Sequence, residues 1–220
     1  NAGCSLADSC PADAFAEFVA QHPDHQVISY VNTSAAVKAH TDVVVTSSNA
    51  RQIVESFPQD AKLIFGPDRN LGGYINSITG RNMILWDGAC HVHSQFSVEA
   101  LIELKKQYPN AAVLAHPECK DVILKLSDVI GSTAALLSYA QKSDKKQFIV
   151  VTESGILHEM QKSCPNKEFI PAPPETTKGG TSCICNECNY MRLNTLEKVY
   201  NCLRYEYPQV KVDADIAAKS

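Results

Sequence analysis

The sequence predicts an α/β fold made of repeated units with short parallel sheets, and three observations carry that prediction. Short apolar runs alternate with helical segments, the alternation occurs twice over at one constant spacing, and the joints carry residues that break or cap helices. The first pass opens with a helical pattern over Phe15–Ala20 that stops at Gln21-His22-Pro23. Val27-Ile28-Ser29-Tyr30 reads as a buried strand, Ser34–His40 as helix and Val43–Thr46 as the next strand. Ala50–Phe57 returns to helix, and Lys62-Leu63-Ile64-Phe65 is a strand ending in Gly66-Pro67-Asp68. The second pass repeats the order: helix Val98–Gln107 ending at Tyr108-Pro109, strand Ala112–Leu114, helix Lys120–Leu126, strand Asp128–Ile130, helix Ala134–Gln141 and strand Phe148–Val151. Uninterrupted apolar strands of this length suit a parallel sheet covered on both faces.

The repeat reaches individual residues. Pro23 pairs with Pro109, Tyr30 with His116, Asp42 with Asp128 and Gly66 with Thr152, each 86 positions apart. The strand ends Thr46-Ser47-Ser48 and Gly131-Ser132-Thr133 also align. One offset held over the whole length favours duplication over chance likeness between two βα stretches. It divides the chain into the end of an earlier α/β unit (residues 1–20), a complete unit (21–106) and a further unit with a cysteine-bearing tail (107–220). The opening Asn1-Ala2-Gly3-Cys4 reads as a chain entered inside a motif.

Composition narrows the classes. With 220 residues, 45% of them hydrophobic, the chain can bury a sizeable core. No apolar run is long enough for a membrane helix, and no basic and apolar leader opens the chain. The net charge of −4, with basic residues scattered apart from Lys145-Lys146, argues against nucleic acid as a partner. Nine unevenly spaced cysteines in a chain of this size read as cytoplasmic ligands and buried thiols rather than as a secreted disulfide framework.

The same offset links Cys4 to Cys90, each just before the first helix of its unit. Ligands of open α/β layers bind at the C-terminal ends of the strands, so equivalent loops of two facing units would meet at a shared centre. One further period brings Cys183, Cys185 and Cys188, after Pro171, Pro173, Pro174 and Gly179-Gly180. A zinc ion, an iron–sulfur cluster or a redox dithiol could each use that triplet. Three thiolates on a cubane would leave one iron open, as in hydro-lyases, whereas a zinc-stabilised binding protein would use the triplet with a histidine such as His158.

The remaining candidates sit at strand ends. His91 and His93 alternate after Cys90, so in extended backbone both face one side. His116-Pro117-Glu118-Cys119 offers an imidazole and a carboxylate as an acid–base pair, with Cys119 as a thiol beside them. Thr46-Ser47-Ser48-Asn49 and Ser132-Thr133 either cap a helix or add an anion site to that role. Cys10, Cys164 and Cys202 read as structural thiols, and His22 and His25 as packed histidines. Gly66–Gly72 resembles a turn and helix start, without a nucleotide fingerprint.

Seven segments together resemble the quinolinate synthase (quinolinate synthetase A) family: Ala2–Asp8, Tyr30–Asn32, Val45–Ala50, Gly66–Gly72, His91–His93, His116–Cys119 and Cys188–Met191. They run in order over nearly the whole chain. The resemblance implies a cytoplasmic transferase of NAD (pyridine nucleotide) biosynthesis, with three α/β/α domains in pseudo-threefold arrangement around a [4Fe-4S] cluster. It would condense iminoaspartate with dihydroxyacetone phosphate to quinolinate, phosphate and water, with iminoaspartate drawn from L-aspartate oxidase or aspartate dehydrogenase. Family metal ligands fall on Cys4, Cys90 and Cys188. Glu118, His116 and Tyr30 take catalytic roles, and Tyr30, Asn32, Ser47, His93, His116, Glu118, Ser132 and Thr133 hold substrate. Cys183 and Cys185 match a candidate redox pair, although a single intervening residue would strain a disulfide. The family carries a further N-terminal domain that completes the substrate pocket, so this polypeptide alone is expected to carry the ligands with little activity.

Overall fold

The computed structural model describes residues 3–175 and 186–220. A short helix α1 (Ser5–Asp8) and α2 (Ala12–Ala20) lead into β1 (Gln26–Tyr30), α3 (Ala35–Lys38), β2 (Val43–Val45), α4 (Ala50–Ser56), β3 (Leu63–Gly66), α5 (Arg69–Thr79) and β4 (Ile84–Leu85). The second half follows with α6 (His91–Ser94), α7 (Val98–Gln107), β5 (Ala112–Ala115), α8 (Asp121–Leu124), β6 (Val129–Ile130), α9 (Thr133–Lys142), β7 (Gln147–Val151), α10 (Ile156–Ser163) and β8 (Glu168–Pro171). The tail carries α11 (Asn189–Arg192), α12 (Leu196–Tyr205) and α13 (Ala214–Ala217).

Two four-stranded sheets result, ordered β2-β1-β3-β4 and β6-β5-β7-β8, with every pairing parallel. Strand residues alternate between two cores. In the first sheet Ile28, Tyr30, Leu63 and Phe65 face α4 and α5, while Val27 and Ile64 face α2 and α3. In the second, Val113, Ala115, Ile149 and Val151 face α7 and α8, while Leu114, Phe148 and Val150 face α9 and α10. Each sheet is therefore the middle of an α/β/α sandwich, which is why its strands read as continuous apolar runs.

The repeat extends to individual hydrogen bonds. Asp42 accepts from the Val27 amide at 2.7 Å, and Asp128, 86 positions on, accepts from the Val113 amide at 2.8 Å. Each aspartate thereby ties the entry of one edge strand to its central neighbour. Glycine matters where α5 meets its sheet: a Cβ on Gly72 would lie 2.6 Å from Leu85 Cδ2 and 2.9 Å from Phe65 Cδ1. The tail crosses back to the first sandwich, where α13 packs on α3. Among the described residues, no helix is long and apolar enough to cross a membrane.

The sequence reading leaves α1 and the tail helices α11, α12 and α13 unread, and it stops short elsewhere. It stops at the start of α5, which runs on to Thr79, and it does not resolve β4, α10 or β8. Strands of two to four residues at a sheet edge have too few positions to show a period. Residues 91–94 form a helical turn rather than extended backbone, so His91 and His93 point to different surroundings.

Candidate functional site

Strand order places the site. In each sheet the chain leaves β1 or β5 to one side and returns on the other through β3 or β7, so the loops after these neighbouring strands diverge and leave a crevice. A cavity of about 730 Å³ opens at these strand ends. Its walls include Tyr30, Asn32 and Thr33 after β1, Ser47 after β2, His116 and Glu118 after β5, Thr133 at the start of α9, and Thr152 and Glu153 after β7. Cys4, Cys90, His93 and Cys188 complete it from α1, α6 and the tail. A second cavity of about 530 Å³ lies between α5 and α8, lined by Arg69, Tyr74, Asp87 and Asp121, with neither cysteine nor histidine.

The charged centre is Glu118 against His93. The carboxylate oxygen Oε2 sits 3.0 Å from His93 Nδ1, and both side chains are almost wholly buried. The nitrogen is poorly aligned for a hydrogen bond, so the contact is an ion pair by proximity. Burial alone would push Glu118 up, but His93, then His116 and the Tyr30 hydroxyl, hold it well below the usual carboxylate range. Burial likewise opposes a charged His93, and Cys90 and Glu118 beside it outweigh that and raise it. His93 Nε2 meets Thr152 Oγ1 at 2.9 Å.

His116 stacks on His93 with ring centres 4.8 Å apart. Burial, then the His93 charge, holds it down to about 4, so it is neutral at physiological pH. Its Nδ1 accepts from the Glu118 amide at 3.4 Å, which leaves Nε2 to carry the proton. Tyr30, the repeat partner of His116, is pushed far up by burial and by the Glu118 charge, and it remains a phenol. Around Glu118 the cavity thus presents an ionised carboxylate, an imidazolium, a neutral imidazole and a phenol, a set suited to moving protons on a bound substrate.

The thiols converge from three separate turns. Cys4, Cys90 and Cys188 each stand in extended backbone just before a four-residue helix, α1, α6 and α11. All three are half-buried and free of disulfides. Burial raises the Cys4 thiol, the Ala7 and Leu6 amides oppose this, and charge on Cys90 and Cys188 adds to it, as expected for three sulfurs facing one space. Side chains lock the turns to one another. Ser5 Oγ meets His91 Nδ1 at 2.5 Å, the Tyr190 hydroxyl donates to Asp8 at 3.0 Å, and the Tyr190 ring sits edge-on to His91. One ligand atom each from Cys90, His93 and Glu118 also lies within 4.8 Å of the others.

Most of the residues singled out in the sequence meet here: Cys4, Cys90, Cys188, Tyr30, Asn32, Ser47, His93, His116, Glu118 and Thr133 all line the cavity. Ser132 does not. It is buried and caps α9, accepting from the Ala135 amide at 3.3 Å. Cys119 is buried away from the cavity, its thiol donating to the Val151 carbonyl at 3.4 Å. His158 lies exposed on α10. Cys183 and Cys185 lie outside the described residues. The sequence reading passed over Thr33, Glu153 and Asn186, and it noted Thr152 only as a repeat position. Asn186 is buried and donates to the Val92 carbonyl at 3.3 Å, while its own carbonyl accepts from the Ser154 amide. Only the 86-residue offset, which sets Glu153 beside the partner of Gly66, could have drawn attention to that loop.

Parallel sandwiches with an acid–base cavity at the strand ends, faced by three free thiols, define an α/β protein whose site is built across two related units. The whole chain, residues 1–220, matches the family described as NadA: Quinolinate synthetase A protein, and it belongs to that family. Similar proteins include a quinolinate synthase of Thermosynechococcus vestitus, 58% identical over 215 residues, covering 98% of this chain and 66% of the relative. One of Chloroherpeton thalassium is 57% identical over 215 residues, with 98% and 66% covered. One of Microcystis aeruginosa is 54% identical over 220 residues, with 100% and 67% covered. The chain spans about two thirds of the length of these relatives.

Proposed function

We propose that this chain forms the cluster-bearing and proton-transfer part of a quinolinate synthase, condensing iminoaspartate with dihydroxyacetone phosphate to quinolinate, phosphate and water. The observation that carries the reading is the meeting of Cys4, Cys90 and Cys188 with Glu118, His93, His116 and Tyr30 at one cavity. The three thiols fit a [4Fe-4S] cluster: they are soft ligands, free, half-buried and from separate turns facing one space. When bound, such a cluster supplies a Lewis acid at the iron that the protein does not ligate.

The protein's own groups divide the remaining work. Glu118 is the base, its carboxylate held ionised by His93 and aimed into the cavity. Tyr30, whose hydroxyl adjoins Glu118, passes or returns the proton, and neutral His116 donates from Nε2 to a substrate oxygen. His93, locked by Thr152, supplies positive charge for a carboxylate. Asn32, Ser47 and Thr133 hold carboxylate or phosphate oxygens, and Ser132 supports that wall by capping α9.

In the complete enzyme, residues 21–106 and 107–220 would be two of three related units in pseudo-threefold arrangement, with residues 1–20 ending another. The boundary helices α2 and α7 stay docked on the sheets that follow them. L-aspartate oxidase or aspartate dehydrogenase would supply the substrate in the cytoplasm. Cys183 and Cys185, with a single residue between them, are a candidate redox pair only at the cost of a strained disulfide.

Anaerobic iron and sulfide analysis of the full-length protein tests the reading. About four irons and four sulfides per chain are expected, lost in Cys4→Ala, Cys90→Ala and Cys188→Ala but kept in Cys119→Ala. A single zinc without labile sulfide would favour a site on Cys90, His93 and Glu118 instead, whose ligand atoms already lie close together.

A further inference from the structure

Two carboxylates outside the proposed proton chemistry grip the backbone of the thiol-bearing turns. Asp68 follows β3 and Glu153 follows β7, so they come from corresponding ends of the two sheets. Asp68 is wholly buried and accepts through Oδ2 from the Cys90 amide at 2.7 Å. Its Oδ1 accepts from the Asn70 and Leu71 amides at 2.7 and 3.0 Å, anchoring the carboxylate on its own loop. Glu153 lines the cavity and repeats the arrangement. Its Oε1 accepts from the Cys188 amide at 3.3 Å, and Oε2 from the Gly155 amide at 2.7 Å. In both cases one oxygen holds the strand-end loop and the other holds a cysteine.

We propose that Asp68 and Glu153 are positioning residues that set the Cys90 and Cys188 sulfurs for the cluster and lower its electron affinity; this rests on the cluster reading above. The physical reasons are separate. An amide N–H turned toward a sulfur makes a cluster easier to reduce, and these two amides are committed to carboxylates instead. Negative charge beside the cluster also opposes the arrival of an electron, and the burial of Asp68, which with the Glu118 charge pushes its carboxyl up, limits how far water screens that charge. Finally, a turn held by its own amide loses little freedom when its sulfur is engaged, so the geometry is set before the metal arrives.

The test has two arms on the full-length protein. In the anaerobically loaded form, Asp68→Asn and Glu153→Gln keep the side chain's shape, remove its charge and leave one accepting oxygen in place of two. Both are expected to retain wild-type iron and sulfide while shifting the reduced-to-oxidised ratio at fixed potential about tenfold toward reduced, about 59 mV for a one-electron couple. A side chain that merely supports the fold would not move that midpoint, and an unshifted midpoint in variants with full iron overturns the electron-affinity role. In the metal-free form, amide hydrogen exchange is expected to speed about tenfold at Cys90 in Asp68→Ala and at Cys188 in Glu153→Ala, with the Val113 amide unchanged. Unaltered exchange at both cysteines overturns the positioning role. A wild-type protein without a cluster would overturn the preceding section and the electron-affinity role together, while the exchange arm still reads the positioning role without metal.

Discussion

Glu118 and His116 show what two residues either side of Pro117 at a strand end become once neighbours are added. Their types and place were legible in the sequence, because β5 ends at Ala115 and the next residues must face the crevice. Their charge states were not, because those depend on His93 stacking from another element. If Glu118 is the base, Glu118→Gln should lower kcat by about 10²–10⁴-fold with iron content unchanged, measured as quinolinate formation by the loaded full-length protein. His116 gives a stability prediction of definite sign. Its folded pKa of about 4 lies below the unfolded value, so the unfolded chain binds more protons between roughly pH 4 and 6.5. Its contribution is present above that window and is lost as pH falls through it, on the order of 3 kcal/mol. Urea unfolding of metal-free protein at pH 4.5 and 7.5 should therefore show a smaller acid loss in His116→Gln than in wild type. Asn186 and Glu153 were invisible for the opposite reason. Nothing in their own neighbourhood marks them, and their meaning comes from partners 94 and 35 positions away.

At the scale of elements, the duplicated order was readable because each strand is buried on both faces and each helix is punctuated by its own cap or proline. Elements whose signal is short or divided escaped. The turn at His91–Ser94 has too few residues for any period, and its helical form separates His91, bound to Ser5, from His93, inside the cavity. The twin aspartates allow a matched test. Asp42→Ala and Asp128→Ala each leave a strand amide without its acceptor and should each cost about 1–3 kcal/mol, read from chemical denaturation. Gly72→Ala should cost about 1–3 kcal/mol by forcing a methyl against Leu85 and Phe65. Gly73, with nothing near its missing Cβ, is the control: the same substitution there should be neutral or stabilising.

At the scale of the whole molecule, the cavity is a seam. Its thiols and its titratable groups come from both sandwiches and from the tail, and the locks between them, Ser5 with His91 and Asp8 with Tyr190, join residues 86 and 182 positions apart. A group bound there by three turns would stabilise only the folded arrangement. Chelation of iron should therefore lower the unfolding temperature of the loaded protein by several degrees, read by anaerobic calorimetry. The Cys188→Ala variant, unable to join the tail to the site, should already start at the lower value. The common centre of Cys4 and Cys90 was legible through the offset, but the seam's closure by Tyr190 was not, since that side chain is 182 positions from its partner.

That separation also dates the site in the life of the polypeptide. At about 5–20 residues per second, roughly 10–40 s pass between synthesis of Asp8 and of Tyr190. In the later part of that interval the strands of the first sandwich have all been made, and Cys4 and Cys90 stand without the third sulfur. A site that needs all three turns is accordingly the last part of the described fold to be completed, and it exists only once Cys188 has been made.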